Sequence, residues 1–164
     1  KYNNQYGIED YKFWLDIVKF TKFASIPKVL LKYRHLETSY SKEQERNYEK
    51  IYFEYKRVLS DLLERLNLKN TEMENKLHFI VQRNTRIAQE DIDLKSLNIY
   101  LNKFINANKS KKVFNDRSLR WFLAKKFLIV VYFKIKKRDF SFLSAIFYKF
   151  FWLAPFILIN NKNL

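Results

Sequence analysis

The chain has 164 residues, the length of one ordinary domain, with 48% hydrophobic and 30% charged residues, which excludes both a disordered tail and a wholly membrane-embedded protein. Gly7 is the single glycine and cysteine is absent, which rules out glycine-rich phosphate loops, disulfides, thiolate nucleophiles and Cys-ligated metals; His35 and His78 form no H-E-x-x-H pair. The net charge is +15, and residues 109–138 hold eleven bases against Asp116, two thirds of the excess. A block of that kind attracts phosphate, on anionic lipid or on nucleic acid.

No secretory signal is visible, because the first residues mix acids, amides and bases without an apolar run. The spacing Ile8, Tyr11, Leu15, Val18 predicts a helix over about 8–20, with Glu9 and Asp10 in its first turn, where acids suit the helix dipole. Residues 22–34 read as two short extended segments turning at Pro27. From Ser41 the pattern is helical. Ser41 and Gln44 have capping-box spacing, and Ile51, Tyr55, Val58, Leu59, Leu62 and Leu66 make one apolar stripe. Thr71 and Glu74 open a second helix with Leu77, Ile80 and Val81, and a third runs from about Glu90 to Ile105. His78 reads as a structural residue among Leu77, Phe79 and Ile80. Residues 106–112, rich in Asn and Lys, read as a linker.

Residues 119–135 predict an aromatic and aliphatic helix with cations inside it; Lys136, Lys137, Arg138 and Asp139 follow. The next run, Phe140 to Ile159, has Lys149 as its sole charge. Twenty apolar residues are enough to cross a bilayer, but Lys149 near the middle and Pro155 near the end oppose a span. A basic, aromatic helix lying in the membrane interface fits better, with Lys125, Lys126, Lys136, Lys137 and Arg138 on the headgroups. The plainer alternative is a helix of a packed core.

Chemistry is suggested only in residues 7–41. Asp10 could take a proton from a hydroxyl, with Trp14 one turn away offering a ring face, although acids in a first turn are ordinary helix-start chemistry. Arg34 and His35, after an apolar segment, have the character of phosphate ligands or of solvated bases. Asp-x-Asp occurs at Asp91–Ile92–Asp93, on a helical stretch, and reads as a solvated helix start.

The order Gly7-Ile-Glu9-Asp10-Tyr-Lys-Phe-Trp14-Leu15, then Ser25-Ile-Pro27-Lys-Val-Leu30-Leu31-Lys-Tyr33-Arg34, then Ser39 and Ser41, resembles the back end of the catalytic domain in glycosyltransferase family 2 over residues 3–44. One departure is Leu36, which stands where many relatives place a His three residues after the Tyr; His35 is one position early. The resemblance implies an α+β fragment, mostly α. A helix and two short strands would end a nucleotide-sugar-binding α/β domain over 1–44. A helical extension would follow over 45–108, and membrane-associating helices over 109–164.

It further implies that Asp10 is the general base of an inverting transfer, Glu9 supports the acceptor, and Trp14, Arg34 and His35 lie at the substrate end. Positioned carboxylates contribute about 10²–10⁴-fold in such steps. A divalent metal, Mg or Mn, would be held by an Asp-x-Asp motif preceding Lys1, so the isolated chain binds none and does not turn over. The implied partners are a nucleotide-sugar donor, a glycan or lipid-linked acceptor and an anionic membrane surface. The implied location is cytoplasmic, peripheral on the inner face of the cell membrane. Two other readings compete: a non-catalytic membrane-surface helical protein or degenerate transferase remnant, and a basic helical nucleic-acid-binding module. Long aliphatic runs among the bases disfavour the last, and no nucleic acid is expected as a partner.

Overall fold

The computed structural model describes residues 9–17, 20–21, 24, 26–32 and 47–153. The chain divides into two compact units, residues 1–62 and 63–164. In the first, α1 (Glu9–Ile17) begins at the acidic pair and buries Leu15. Tyr11 stacks on Tyr55 of α2 (Tyr48–Arg65) with centroids 5.6 Å apart. Lys12 bridges Asp16 one turn on (2.7 Å) and Asp61 of α2 (3.0 Å). Helix α2 buries Ile51, Tyr55, Val58, Leu59 and Leu62, the stripe its spacing requires. It stops where Asn67 takes a left-handed φ of 49°, a conformation Asn tolerates, so that Asn67 N–H reaches Glu64 O and Leu68 N–H reaches Leu63 O.

The pair of short strands does not form among the described residues. Ala24 and residues 26–32 run without strand pairing and bend at Pro27–Lys28, where Lys28 N–H closes on Ile26 O at 2.8 Å. Ile26, Val29, Leu30 and Leu31 stay exposed. An extended segment without a neighbour gains no ladder hydrogen bonds, and local sequence alone does not hold it as a strand. Every regular element among the described residues is helical, so the α+β reading is corrected to all-α. The Ser41–Gln44 capping box and the remainder of 22–34 lie outside the described residues.

The second unit holds α3 (Glu72–Gln82), α4 (Asn84–Gln89), α5 (Leu94–Lys111), α6 (Asp116–Lys136) and two 3₁₀ helices, Phe140–Phe147 and Phe151–Leu153. Thr71 caps α3 with the reciprocal bonds its spacing with Glu74 foretells. Asp93 caps α5 by accepting Ser96 N–H at 2.8 Å, which accounts for the second acid of Asp91–Ile92–Asp93. Lys103 ties α5 to the start of α3 through Glu74 (2.7 Å) and Lys69 O (2.6 Å).

Residues 106–111, expected in a linker, are the last turns of α5. Composition misleads here because Asn108 is fully buried and works as the joint to α6: Nδ2 donates to Phe114 O (3.0 Å) and Asp116 Oδ1 (2.7 Å), while Oδ1 accepts Phe114 N–H (2.8 Å). The true turn is Lys112–Asn115, entered through a left-handed Lys112.

Helix α6 is the centre of this unit. It packs against α3, α4, α5 and both 3₁₀ helices and buries Leu119, Leu123, Ala124, Phe127, Val130, Val131 and Lys134. Its anticipated extent, 119–135, agrees with the structure, and its inward stripe belongs to a packed core. The first 3₁₀ helix is rooted on it by Tyr148, edge-on to Phe127 at 5.9 Å, and by Phe150 against the same ring at 5.8 Å.

Candidate functional site

The proposed catalytic residues are only partly described. Asp10 is exposed in the first turn of α1. The side chain of Glu9, and all of Arg34 and His35, lie outside the described residues. Trp14 is half-exposed and packs edge-on to Phe13 at 5.4 Å. Among the described residues no group of three or more His, Asp or Glu is placed to hold a metal ion.

His78 is buried between α3 and α5. Its Nδ1 is hydrogen-bonded to the Tyr100 hydroxyl, which also accepts from Asn70 Nδ2 at 3.3 Å, and Phe104 packs against its ring. Burial pushes its pKa down to about 4. The adjoining cavity, bounded also by Val81, Phe122, Leu123 and Lys126, measures about 10 Å³. One water fills such a volume and no substrate enters it. This is a core polar pair, as the surrounding apolar residues imply.

The basic and aromatic end of the chain is rearranged relative to the sequence reading. Lys125 is exposed, but Lys126 folds back: its ammonium lies over the Phe122 ring at 5.6 Å and donates to Gln82 O at 3.1 Å. Burial, with the nearby Lys125 charge, lowers the Lys126 pKa. Lys134 is buried on the inward face of α6 and donates to Asp91 (2.9 Å) and Asp139 (2.6 Å). Burial pulls the Lys134 ammonium down, yet the Asp139 and Asp91 carboxylates outweigh it and hold its pKa above the ordinary lysine value. Asp139 in turn is pushed down to about 2 by Lys134 and by Ser141 N–H. Lys136, Lys137, Arg138 and Lys149 remain exposed, with Lys137 also donating to Glu90 O at 3.0 Å.

Arg138 occupies the position that ends α6. Its φ is 57°, with its N–H on Ile135 O and Asp139 N–H on Lys134 O, the paired bonds of a Schellman turn. Glycine is the usual residue there, and a side chain costs about 1 kcal/mol. The turn thus holds a cation at a strained position next to the first 3₁₀ helix.

That helix has three residues per turn, so side chains three apart eclipse. Ala145 is fully buried, Phe142 is half-buried, and Tyr148, the extended residue that ends the run, packs on Phe127 of α6. Phe140, Leu143 and Ile146 form one row, exposed to 75%, 58% and 47%; Phe147 (82%) and Trp152 (63%) extend the exposed apolar surface. The sequence reading marked 140–159 as apolar but did not separate these residues. The signal available was their three-residue spacing, interleaved with Ser141 and Ser144. No helix among the described residues is long and apolar enough to cross a membrane.

Comparison with protein-family models, with curated proteins and with solved structures returns no match.

The His78 pair yields a pH dependence. A neutral histidine in the fold and an ordinary one, near 6.5, in the unfolded chain mean that the unfolded state takes up the proton first. Stability is therefore full above pH 6.5, declines as pH falls toward about 4, and changes no further through this group below that. The decline amounts to ~3 kcal/mol. Urea unfolding at a series of pH values should show that slope in the wild type and its loss in His78→Gln; an equal slope in both contradicts the assignment.

Proposed function

We propose that this chain is a helical module that binds the anionic face of a membrane, and that it serves as the C-terminal part of a longer inverting glycosyltransferase. The observation that carries the first part is the exposed apolar row Phe140–Leu143–Ile146, with Phe147 and Trp152, next in the chain to the exposed cations Lys136, Lys137 and Arg138 and followed by Lys149. Apolar surface of this extent on a helical unit marks an interaction site, and cations beside it match acidic headgroups. Each Lys or Arg near an anionic leaflet contributes about 1 kcal/mol. The apolar residues would each add about 1.5–3 kcal/mol on full burial, and proportionately less in the interface.

Residues 3–44 support the second part through their resemblance to glycosyltransferase family 2. In that reading the donor is a nucleotide sugar, the acceptor a surface glycan or its lipid-linked precursor, and the metal a divalent ion held by residues outside this chain. Asp10 is the base and Glu9, Trp14, Arg34 and His35 lie around it. The module keeps the enzyme on the cytoplasmic face of the cell membrane, and catalysis does not reside in the isolated chain.

Sedimentation with vesicles tests the membrane part. The chain should partition onto phosphatidylglycerol vesicles and far less onto phosphatidylcholine. The triple variant Lys136→Gln, Lys137→Gln, Arg138→Gln should lose about 10²-fold in affinity. Equal partition on the two lipids overturns the reading, and so does salt-sensitive retention on DNA without vesicle binding, which favours the basic nucleic-acid-binding module. The enzymatic part is tested in the longer protein: Asp10→Asn should lower transfer by about 10²–10⁴-fold while leaving the helical content unchanged. Ordinary turnover by that variant removes Asp10 from the base role.

A further inference from the structure

We infer that residues 139–153 form a wedge that enters the acyl region of one anionic phospholipid leaflet, so that the module inserts rather than adheres by charge alone. This rests on the membrane reading above and specifies the inserting element, its partner and its depth.

Three features of the segment support insertion. The first is its winding. An α-helix turns 100° per residue, so positions 140, 143 and 146 would fan by about 60° at each step; in a 3₁₀ helix they superimpose. The eight-residue 3₁₀ run Phe140–Phe147 is longer than such runs usually are, and its winding gathers Phe140, Leu143 and Ile146 into one outward row while Ala145 is buried and Tyr148, just beyond the run, packs on Phe127 of α6.

The second is polar satisfaction. A group entering hydrocarbon must bring its hydrogen-bond partners with it. Trp152, exposed over most of its indole, donates Nε1–H to Ile146 O at 2.8 Å, so its ring lies beside the end of the apolar row with its donor already satisfied. Ser144 Oγ donates to Ser141 O at 2.7 Å, and Ser141 N–H is taken by Asp139 Oδ1 at 2.9 Å.

The third is charge. Asp139, the one acid of the segment, is paired with Lys134 at 2.6 Å, a cation it shares with Asp91, and four bases outnumber it around the segment. Lys136, Lys137 and Arg138 precede the wedge and Lys149 lies within it, all exposed. Long basic side chains of this kind reach back to phosphates while their stems lie along apolar surface. The occupant matching this pattern is a phospholipid leaflet rich in anionic headgroups.

Trp152 itself reports the depth. In a chain carrying Trp14→Phe and Trp121→Phe it is the sole tryptophan. On phosphatidylglycerol vesicles its emission should shift to the blue. Lipids brominated near the headgroup end of the acyl chains should quench it most strongly, as for a residue about 5–10 Å below the headgroups. The inserted chain should also stay bound in about 0.5 M salt, where charges are screened beyond a few Å, whereas Phe140→Ser with Phe147→Ser, both at exposed positions, should be released. Vesicle binding with unquenched, unshifted Trp152 emission overturns the wedge and leaves the electrostatic membrane reading intact. Absence of binding to phosphatidylglycerol at low salt overturns both. Equal salt resistance of the double Phe variant also overturns the wedge.

Discussion

The second unit depends on one buried cation. Lys134 is at the end of the inward stripe of α6, a position that the pattern Leu119, Leu123, Phe127, Val130, Val131 would give to another aliphatic residue. It is 7% exposed, and an ammonium taken out of water to that extent is tolerable only when paired. Asp91 comes from the loop before α5 and Asp139 from the cap of the first 3₁₀ helix, so one charge joins three parts of the chain. Such a pair contributes little net stability compared with a well-packed apolar side chain, but any arrangement that separates its members leaves the ammonium buried and alone. Its effect is to fix where α6 stops and where the next element starts.

From that point the geometry follows. With Asp139 held by Lys134, its N–H closes on Lys134 O, Arg138 takes the left-handed conformation, and the chain turns into the 3₁₀ helix. Phe127 supplies the wall on which Tyr148 and Phe150 rest. The outward row is thereby presented on a fixed support, with the bases of the α6 terminus adjoining it. A membrane contact built in this way needs no long amphipathic helix. Helix α6, which carries six bases and five aromatic residues, spends its apolar face on the core, and the short tight-wound segment beyond it carries the contact.

Much of the helical organisation was legible because it rests on local rules. The α2 stripe, the Thr71–Glu74 capping box and the extent of α6 each follow from spacing that survives in the structure. The rest depends on tertiary partners. Asn108 looks like linker composition until Phe114 and Asp116 are seen to satisfy it. Ile26 to Leu31 has the residues of a strand but no described neighbour to pair with, and side-chain pattern alone does not create a ladder. Lys126 and Lys134 count as cations of the basic block in the sequence, yet one covers Phe122 and the other is shared between two acids. Of the basic block, the cations free for an external partner are therefore fewer than its composition suggests. The apolar row was hidden for a different reason: within a continuous hydrophobic run, a period of three is visible only once the winding is known.

The most direct test of this account is amide hydrogen exchange on the free chain and on Lys134→Gln. If the shared cation holds the end of α6 and the 3₁₀ segment in place, exchange over residues 139–150 should quicken markedly in the variant, while the middle of α5, around Leu97–Ile105, keeps its protection. Unchanged protection over 139–150 would show that the apolar contacts to Phe127 suffice and that the ion pair does not position the segment.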